Sequence, residues 1–573
     1  MPRVLRAIAP YDGWKGGGQV STSVVYNPSK FELPEDQLKL IKWPIYFGFT
    51  LFVVGAIMGL EQALDHAGIR LIPYMPGINS YYQGLTLHGV INALVLTTAF
   101  ANGFMSLTTA RGLSRPLNKP LLQLAWWLLV VGVLLAAFAM FTGNANVLFT
   151  FYPPLEAHWT FYVGLALVVI STWVTSANQL ITLSAWRKEH PGERIPLLAF
   201  TSIATYVMWD FASVGIAIEV VFLLIPWSFG LLAGADPLLS RTLFWFTGHP
   251  IVYYWLLPVY VSWYTLIPKQ VGGALFSDRF TRVAFVMFIL LIPVGFHHQY
   301  VDPGITQGFK FTSTVMTFGI FFPSLMTAFA VMYALEIGGR RAGGNGLIGW
   351  FFKIPWGDPS VCAQVLAMIV FLLGGLSGLM NASYDMNLIV HNTAFIPGHF
   401  HLTVGTAVVL SYMGICYWMV PYFEKRKLWS RKLALVQSVL WFVGVLIMSR
   451  GLMMGGLLGM PRRTDLALAP YAANLPEWHI AGILTGIGGA ILFTSAVCFF
   501  IELGMTIFAG EPEATREDIP FTATVQAPES SGWEPNLDRL RYWVVTGVVL
   551  TVLVYGPVLL AHMPPTFVAG LQP

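Results

Sequence analysis

The sequence predicts an all-α polytopic membrane protein, a bundle of about 13 transmembrane helices with a cytoplasmic N-terminus and a C-terminus outside. Three observations predict it. Only 10% of the 573 residues are charged, against about 25% in soluble globular chains, and mean hydropathy is +0.65. Continuous apolar runs of about 20 residues recur along the chain, long enough to cross a hydrocarbon core; a transmembrane barrel would show short alternating strands instead. Of the 32 Lys and Arg, 26 fall on alternate connections that share a side with the N-terminus, and only Arg70, Arg241, Lys310, Arg450, Arg462 and Arg463 fall on the other. A missed helix would scramble that alternation, so the basic side is assigned to the cytoplasm.

Taken in order, the spans are 43–64, 80–106, 121–142, 158–186, 197–228, 241–268, 282–300, 311–336, 360–381, 390–422, 433–455, 477–508 and 541–562. Residues 1–40 contain no long apolar run, so they read as a cytoplasmic segment without a cleavable signal peptide. The membrane domain covers 41–565, interrupted between the last two spans by a cytoplasmic loop at about 509–540 that contains the acidic stretch "EPEATREDIP". Cys362, Cys416 and Cys498 lie inside apolar runs with no paired spacing and read as small buried hydrophobes.

The histidines separate into two groups. His66, His158, His190, His479 and His562 lie near helix ends, where polar side chains meet the interface. The others share a depth. His88 comes early in the second span and His249 early in the sixth; His297 and His298 end the seventh; His391, His399 and His401 open the tenth, in "HNTAFIPGHFHL". At about 1.5 Å per residue all fall in the outer part of the membrane. Ionisable groups at that depth are functional candidates, and neutral imidazoles on four helices point to copper, iron or zinc, or to heme ligation.

Spacing adds detail. His399 and His401 differ by about 200° of helix rotation, so their rings leave opposite sides and serve different metals. The adjacent His297 and His298 can share one metal if the helix end relaxes, which Pro293 and the following "DPG" favour. His249 can complete that site. Tyr253 lies four residues after His249, one turn deeper on the same face, and Tyr260 and Tyr264 continue the stripe inward. Ser324 and Thr327 share a face of the eighth span, and Ser277 follows the sixth on the cytoplasmic side; these hydroxyls can form a proton path, although Ser and Thr also bond their own backbone.

Five stretches in this order resemble subunit I of the heme-copper oxygen reductases, and more narrowly the B family, the ba-type cytochrome c oxidases. They are "YYQGLTLHGVINA", "RTLFWFTGHPIVYYWLLPVY", "GFHHQYVDPG", "HNTAFIPGHFHL" and "MPRR", within a resemblance spanning about residues 43–560. The resemblance implies that His88 and His401 bind a low-spin heme, preferentially b type, and His399 a high-spin heme, preferentially a type. It implies a copper ion on His249, His297 and His298. Tyr253 would be joined covalently to a copper-ligand histidine and supply one of the four electrons that split dioxygen. Ser277, Tyr264, Thr327, Tyr260 and Ser324 would carry protons to it. Arg462 and Arg463 would meet heme propionates, with His391, Arg241, Asp302 and Trp245 as further cofactor contacts.

The implied activity is that of a terminal oxidase in a bacterial or archaeal cytoplasmic membrane, reducing dioxygen to water and pumping protons. The implied partners are a subunit II with a dinuclear copper centre and cytochrome c, with quinol as the other donor; nothing points to nucleic acid. Three positions depart from the family's patterns. Ile251 stands where the A family has glutamate, Asn387 where a B-family acid stands, with Asp385 two residues earlier, and Ala330 replaces a hydroxyl residue. The competing readings are a nitric oxide reductase, with non-heme iron in place of copper, and a transporter with a histidine proton relay, which would be colourless.

Overall fold

The computed structural model describes residues 31–291, 297–466, 468–469, 475–516, 519–522 and 534–569, with side chains to 557. Each of the thirteen predicted spans overlaps helix among the described residues. They are α1 (Glu35–His66), α2 (Tyr81–Leu113), α3 (Lys119–Phe141), α4 (Trp159–Glu189), α5 (Leu197–Ser228), α6 (Pro237–Gly248 continued by Pro250–Thr265), α7 (Asp278–Leu291), α8 (Gln307–Arg341), α9 (Pro359–Ala382), α10 (Phe395–Glu424), α11 (Arg431–Leu457), α12 (Pro476–Ala509) and α13 (Leu540–Ala569). Eleven of them are long and apolar enough to cross a membrane by themselves.

The remaining two, α6 and α7, precede or contain the copper-ligand candidates. α6 is interrupted at His249, because Pro250 lacks the N–H that would continue the ladder and instead opens the second piece. α7 is described as far as Leu291, and His297 and His298 themselves are not helical. Pro293, expected to loosen that end, lies outside the described residues. The tenth span is also corrected: His391 precedes α10 and caps the short helix Tyr384–Val390. Asp385 on that short helix is exposed whereas Asn387 is buried, so Asp385 does not take the inward place of the missing acid. Cys362 and Cys416 are buried as expected, and Cys498 is half-buried.

Local chemistry starts several helices. Ser80, Asn118, Asp236, Thr306, Asp358 and Ser430 each accept a first-turn backbone N–H. Small residues then let backbones touch, as lipid-embedded helices require. Along the α11–α12 seam, a Cβ on Gly488 would meet Met448 N at 2.3 Å, and one on Gly451 would meet Ala481 O at 2.6 Å. Gly456 presses α11 onto the histidine-bearing start of α10, where an added Cβ would lie 2.1 Å from Phe395 N. Single π turns follow two of the histidines, at 90–96 after His88 and 403–408 after His401. Such bulges recur at functional sites, where they rotate the helix faces on either side.

The Gly456 contact yields a prediction. Gly456→Val should destabilise the purified protein by about 1–3 kcal/mol through overpacking, measured as a lowered thermal unfolding midpoint in detergent. Gly504→Val, where an added Cβ meets nothing within 4 Å, should leave that midpoint unchanged.

Candidate metal centres

His249, His297 and His298 converge. One ligand atom from each lies within 4.8 Å of the others, and His249 Nδ1 is 3.3 Å from His298 Nε2. His249 Nε2 and His297 Nδ1 are buried without a hydrogen-bond partner. Buried polar atoms are normally satisfied, so this cluster fits the binding of a central metal ion. An all-imidazole donor set suits copper, and also iron or zinc. Trp245 holds one wall, stacked on His298 at 3.7 Å between centroids and nearly parallel at 7°. Tyr253 packs beside His249 with ring centroids 5.1 Å apart.

The opposite-sided projection of His399 and His401 holds. His401 faces His88, with ring centroids 6.2 Å apart and planes within 20°. That gap is too wide for direct stacking, but it accommodates a metal with a bond of about 2 Å to each ring. The Nδ1 of His401 contacts Pro397 O at 2.7 Å, and that of His88 contacts Gly55 O at 2.9 Å, with the Asn92 amide also near. Each Nε2 is thereby left free, as ligation requires. A mainly apolar cavity of about 390 Å³ opens here, lined among others by His88, His401, Phe400, Trp245, Arg462 and Arg463. The ring of His399 goes elsewhere, its Nδ1 held 2.8 Å from Ser377 Oγ.

Arginines line the outer side. Arg462 bonds Asn392 Oδ1 at 2.8 Å, and Arg463 lies over the rings of Phe149 and Tyr152. Among the described residues neither is paired with a carboxylate. Burial, and then the adjoining Arg463 charge, push the Arg462 pKa well below the usual arginine value; an anion in the cavity would offset both effects. Arg241 makes the expected pair with Asp302, at 2.7 and 3.1 Å, and lies over Tyr152. His391 reaches only Asn387 Oδ1, at 3.3 Å, and its Nε2 is buried and unpartnered.

The hydroxyl track is joined in part. Tyr264 donates to Thr327 Oγ1 at 3.0 Å, and Thr327 donates to Pro323 O. Ser324 neighbours the buried Tyr260 hydroxyl, which makes no well-formed hydrogen bond. Ser277 is not hydrogen-bonded to Tyr264 among the described residues. Its hydroxyl accepts from Phe280 N at the start of α7.

Sequence reasoning missed several groups. Gly55, Pro397 and Ser377 hold three of the imidazoles, and Tyr152 braces two of the arginines. Buried Glu61, Asp65 and Glu219 also escaped notice, although each is an acid inside an apolar run, a signal that window averaging hides. His66, read as an interfacial residue, lines the same cavity as His88.

Comparison with known proteins adds independent findings. The profile of the family described as "Cytochrome C and Quinol oxidase polypeptide I" matches residues 39–491. Cytochrome c oxidase subunit 1 of Thermus thermophilus is 42% identical over 91% of this chain and 96% of its own length. Quinol oxidase subunit 1 of Sulfolobus acidocaldarius is 23% identical over 80% of this chain and 90% of its own. A cryo-EM structure of a heme-copper terminal oxidase dimer superposes with a TM-score of 0.86 at 38% identity, covering 93% of this chain and 94% of that one. Family match, full-length relative and matching fold coincide with the converging histidines, and the chain therefore belongs to the cytochrome c and quinol oxidase polypeptide I family.

Proposed function

We infer that this chain is the catalytic subunit of a terminal respiratory oxidase, a multi-pass membrane enzyme with cytochrome c oxidase activity. The observation that carries this reading is three imidazoles, two of them buried, converging on one point beside a tyrosine. Its family carries a low-spin heme, a high-spin heme and copper. His88 and His401 hold the low-spin iron, His399 the high-spin iron, and His249, His297 and His298 the copper. When bound, the two hemes and the copper deliver electrons to dioxygen and bind it.

The chain's own groups do the rest. Tyr253, joined to His249, supplies one electron and one proton at dioxygen cleavage; the hydroxyl track returns the proton, and the electron would be returned by way of the low-spin heme when it is bound. Tyr264 and Thr327 start from an ordered arrangement in which each donates onward, to Thr327 Oγ1 and Pro323 O respectively. Passing a proton toward Tyr253 therefore requires the Thr327 hydroxyl to rotate. Ser277 marks the cytoplasmic end, and Tyr260 and Ser324 complete the route. Arg462 and Arg463 neutralise the heme propionates, supported by Arg241, Asp302, His391 and Trp245.

The finer assignments follow from the sequence. Ile251 in place of glutamate favours the B family, hence a b-type low-spin and an a-type high-spin heme. The bias of basic residues places the N-terminus, segment 1–40 and loop 509–540 in the cytoplasm, with domain 41–565 in the cytoplasmic membrane. Protons are taken up from that side and pumped outward. Electrons arrive from cytochrome c through a partner subunit II bearing a dinuclear copper centre, since the three cysteines here lie apart in the sequence.

Two predictions test this reading. Metal analysis should find two heme irons and one copper per chain, with a dithionite-reduced spectrum that changes on adding carbon monoxide. Non-heme iron in place of copper would favour nitric oxide reduction, and a colourless protein would favour transport. Tyr253→Phe should retain both hemes yet lower dioxygen turnover about 10²–10⁴-fold, the range for losing a positioned proton donor; normal turnover would contradict its role.

A further inference from the structure

Gly55 and Gly59 lie one turn apart inside α1. Glycine weakens a helix interior, and in a membrane such a pair ordinarily lets two helix backbones close on each other. This pair meets side chains instead. A Cβ on Gly55 would lie 1.8 Å from Asn92 Oδ1, and one on Gly59 would lie 2.7 Å from His88 Cε1 and 2.9 Å from His88 Nδ1. His88 and Asn92 are themselves one turn apart on α2, so the antiparallel helices run in register, an empty place on α1 against a polar ring or amide on α2. Farther along the same seam the ordinary arrangement returns: a Cβ on Gly48 would meet Ala99 Cβ at 3.0 Å.

We propose that Gly59 is a positioning residue for the low-spin iron: the space left by its missing side chain is the slot that holds the His88 ring close to parallel with that of His401. The inference rests on those two histidines being the iron's ligands. The geometry bounds the ring from two sides. The backbone of α1 stands behind it, with Gly55 O 2.9 Å from Nδ1. The cavity lies in front, lined by Gly59 and His88 and closed by His401, whose plane is within 20°. Interiors this closely packed do not take an extra methyl at 2.7 Å without a shift. The methyl would press on the ring and not on a flexible chain end, so the ring must turn or move toward His401.

In a ferric heme with two imidazole ligands, the largest g value rises as the ring planes turn from parallel toward crossed. Electron paramagnetic resonance of the oxidised holoenzyme therefore reads the slot. Gly59→Ala should raise that g value or remove the low-spin signal, while the carbon monoxide difference spectrum of the high-spin heme persists. Gly48→Ala crowds the same seam without touching a histidine and should leave the signal at its parent position. An unchanged signal in Gly59→Ala would overturn the proposal. So would an equal shift in Gly48→Ala, or failure of Gly59→Ala to accumulate, since both mark a general packing role. His88→Ala separates the two claims: loss of the low-spin signal upholds His88 as a ligand, whereas its persistence would overturn the ligand assignment itself.

Discussion

An imidazole buried in a membrane protein has two nitrogens to satisfy, and this site is organised around that constraint. In the low-dielectric interior an unpaired polar atom is costly, so each ring needs a partner at both ends. The protein supplies one. Backbone carbonyls take the Nδ1 of His88 and His401, and Ser377 takes that of His399. The opposite nitrogens are those that the proposed metal ligation would use. At the three-histidine cluster the same logic appears as unpartnered His249 Nε2 and His297 Nδ1, an arrangement that a metal ion would resolve.

Holding rings in that half-satisfied state takes a rigid frame. Glycines bring α11 against both α12 and the start of α10, and the π turns after His88 and His401 let each helix change face just past its histidine. Tryptophan stacking fixes His298, and the break at Pro250 sets His249 between two helical pieces. These devices are geometric.

Much of this was legible in the sequence. Span positions follow from run length, which depends only on bilayer thickness, and the common depth of the histidines follows from those spans. The divergence of His399 and His401 follows from helix rotation alone. What stayed hidden was non-local or irregular. The acceptors Gly55, Pro397 and Ser377 are visible only once distant helices meet. Helical extrapolation carried α7 through His297 and α10 back to His391, whereas the structure ends or starts those helices short of them. Ser277 accepts from the backbone of its own turn, a contact that span positions do not reveal. Asp385 lay within reach of the missing acid by numbering, and the turn of its short helix points it outward.

The central claim is that separate segments gather imidazoles into one outer layer to hold three metal centres. Anomalous diffraction from crystals of the intact enzyme, collected on both sides of the copper and iron absorption edges, tests it most directly. The account predicts a copper peak amid His249, His297 and His298, one iron peak between His88 and His401, and a second iron peak beside His399. A copper peak elsewhere, or no iron between His88 and His401, would contradict it.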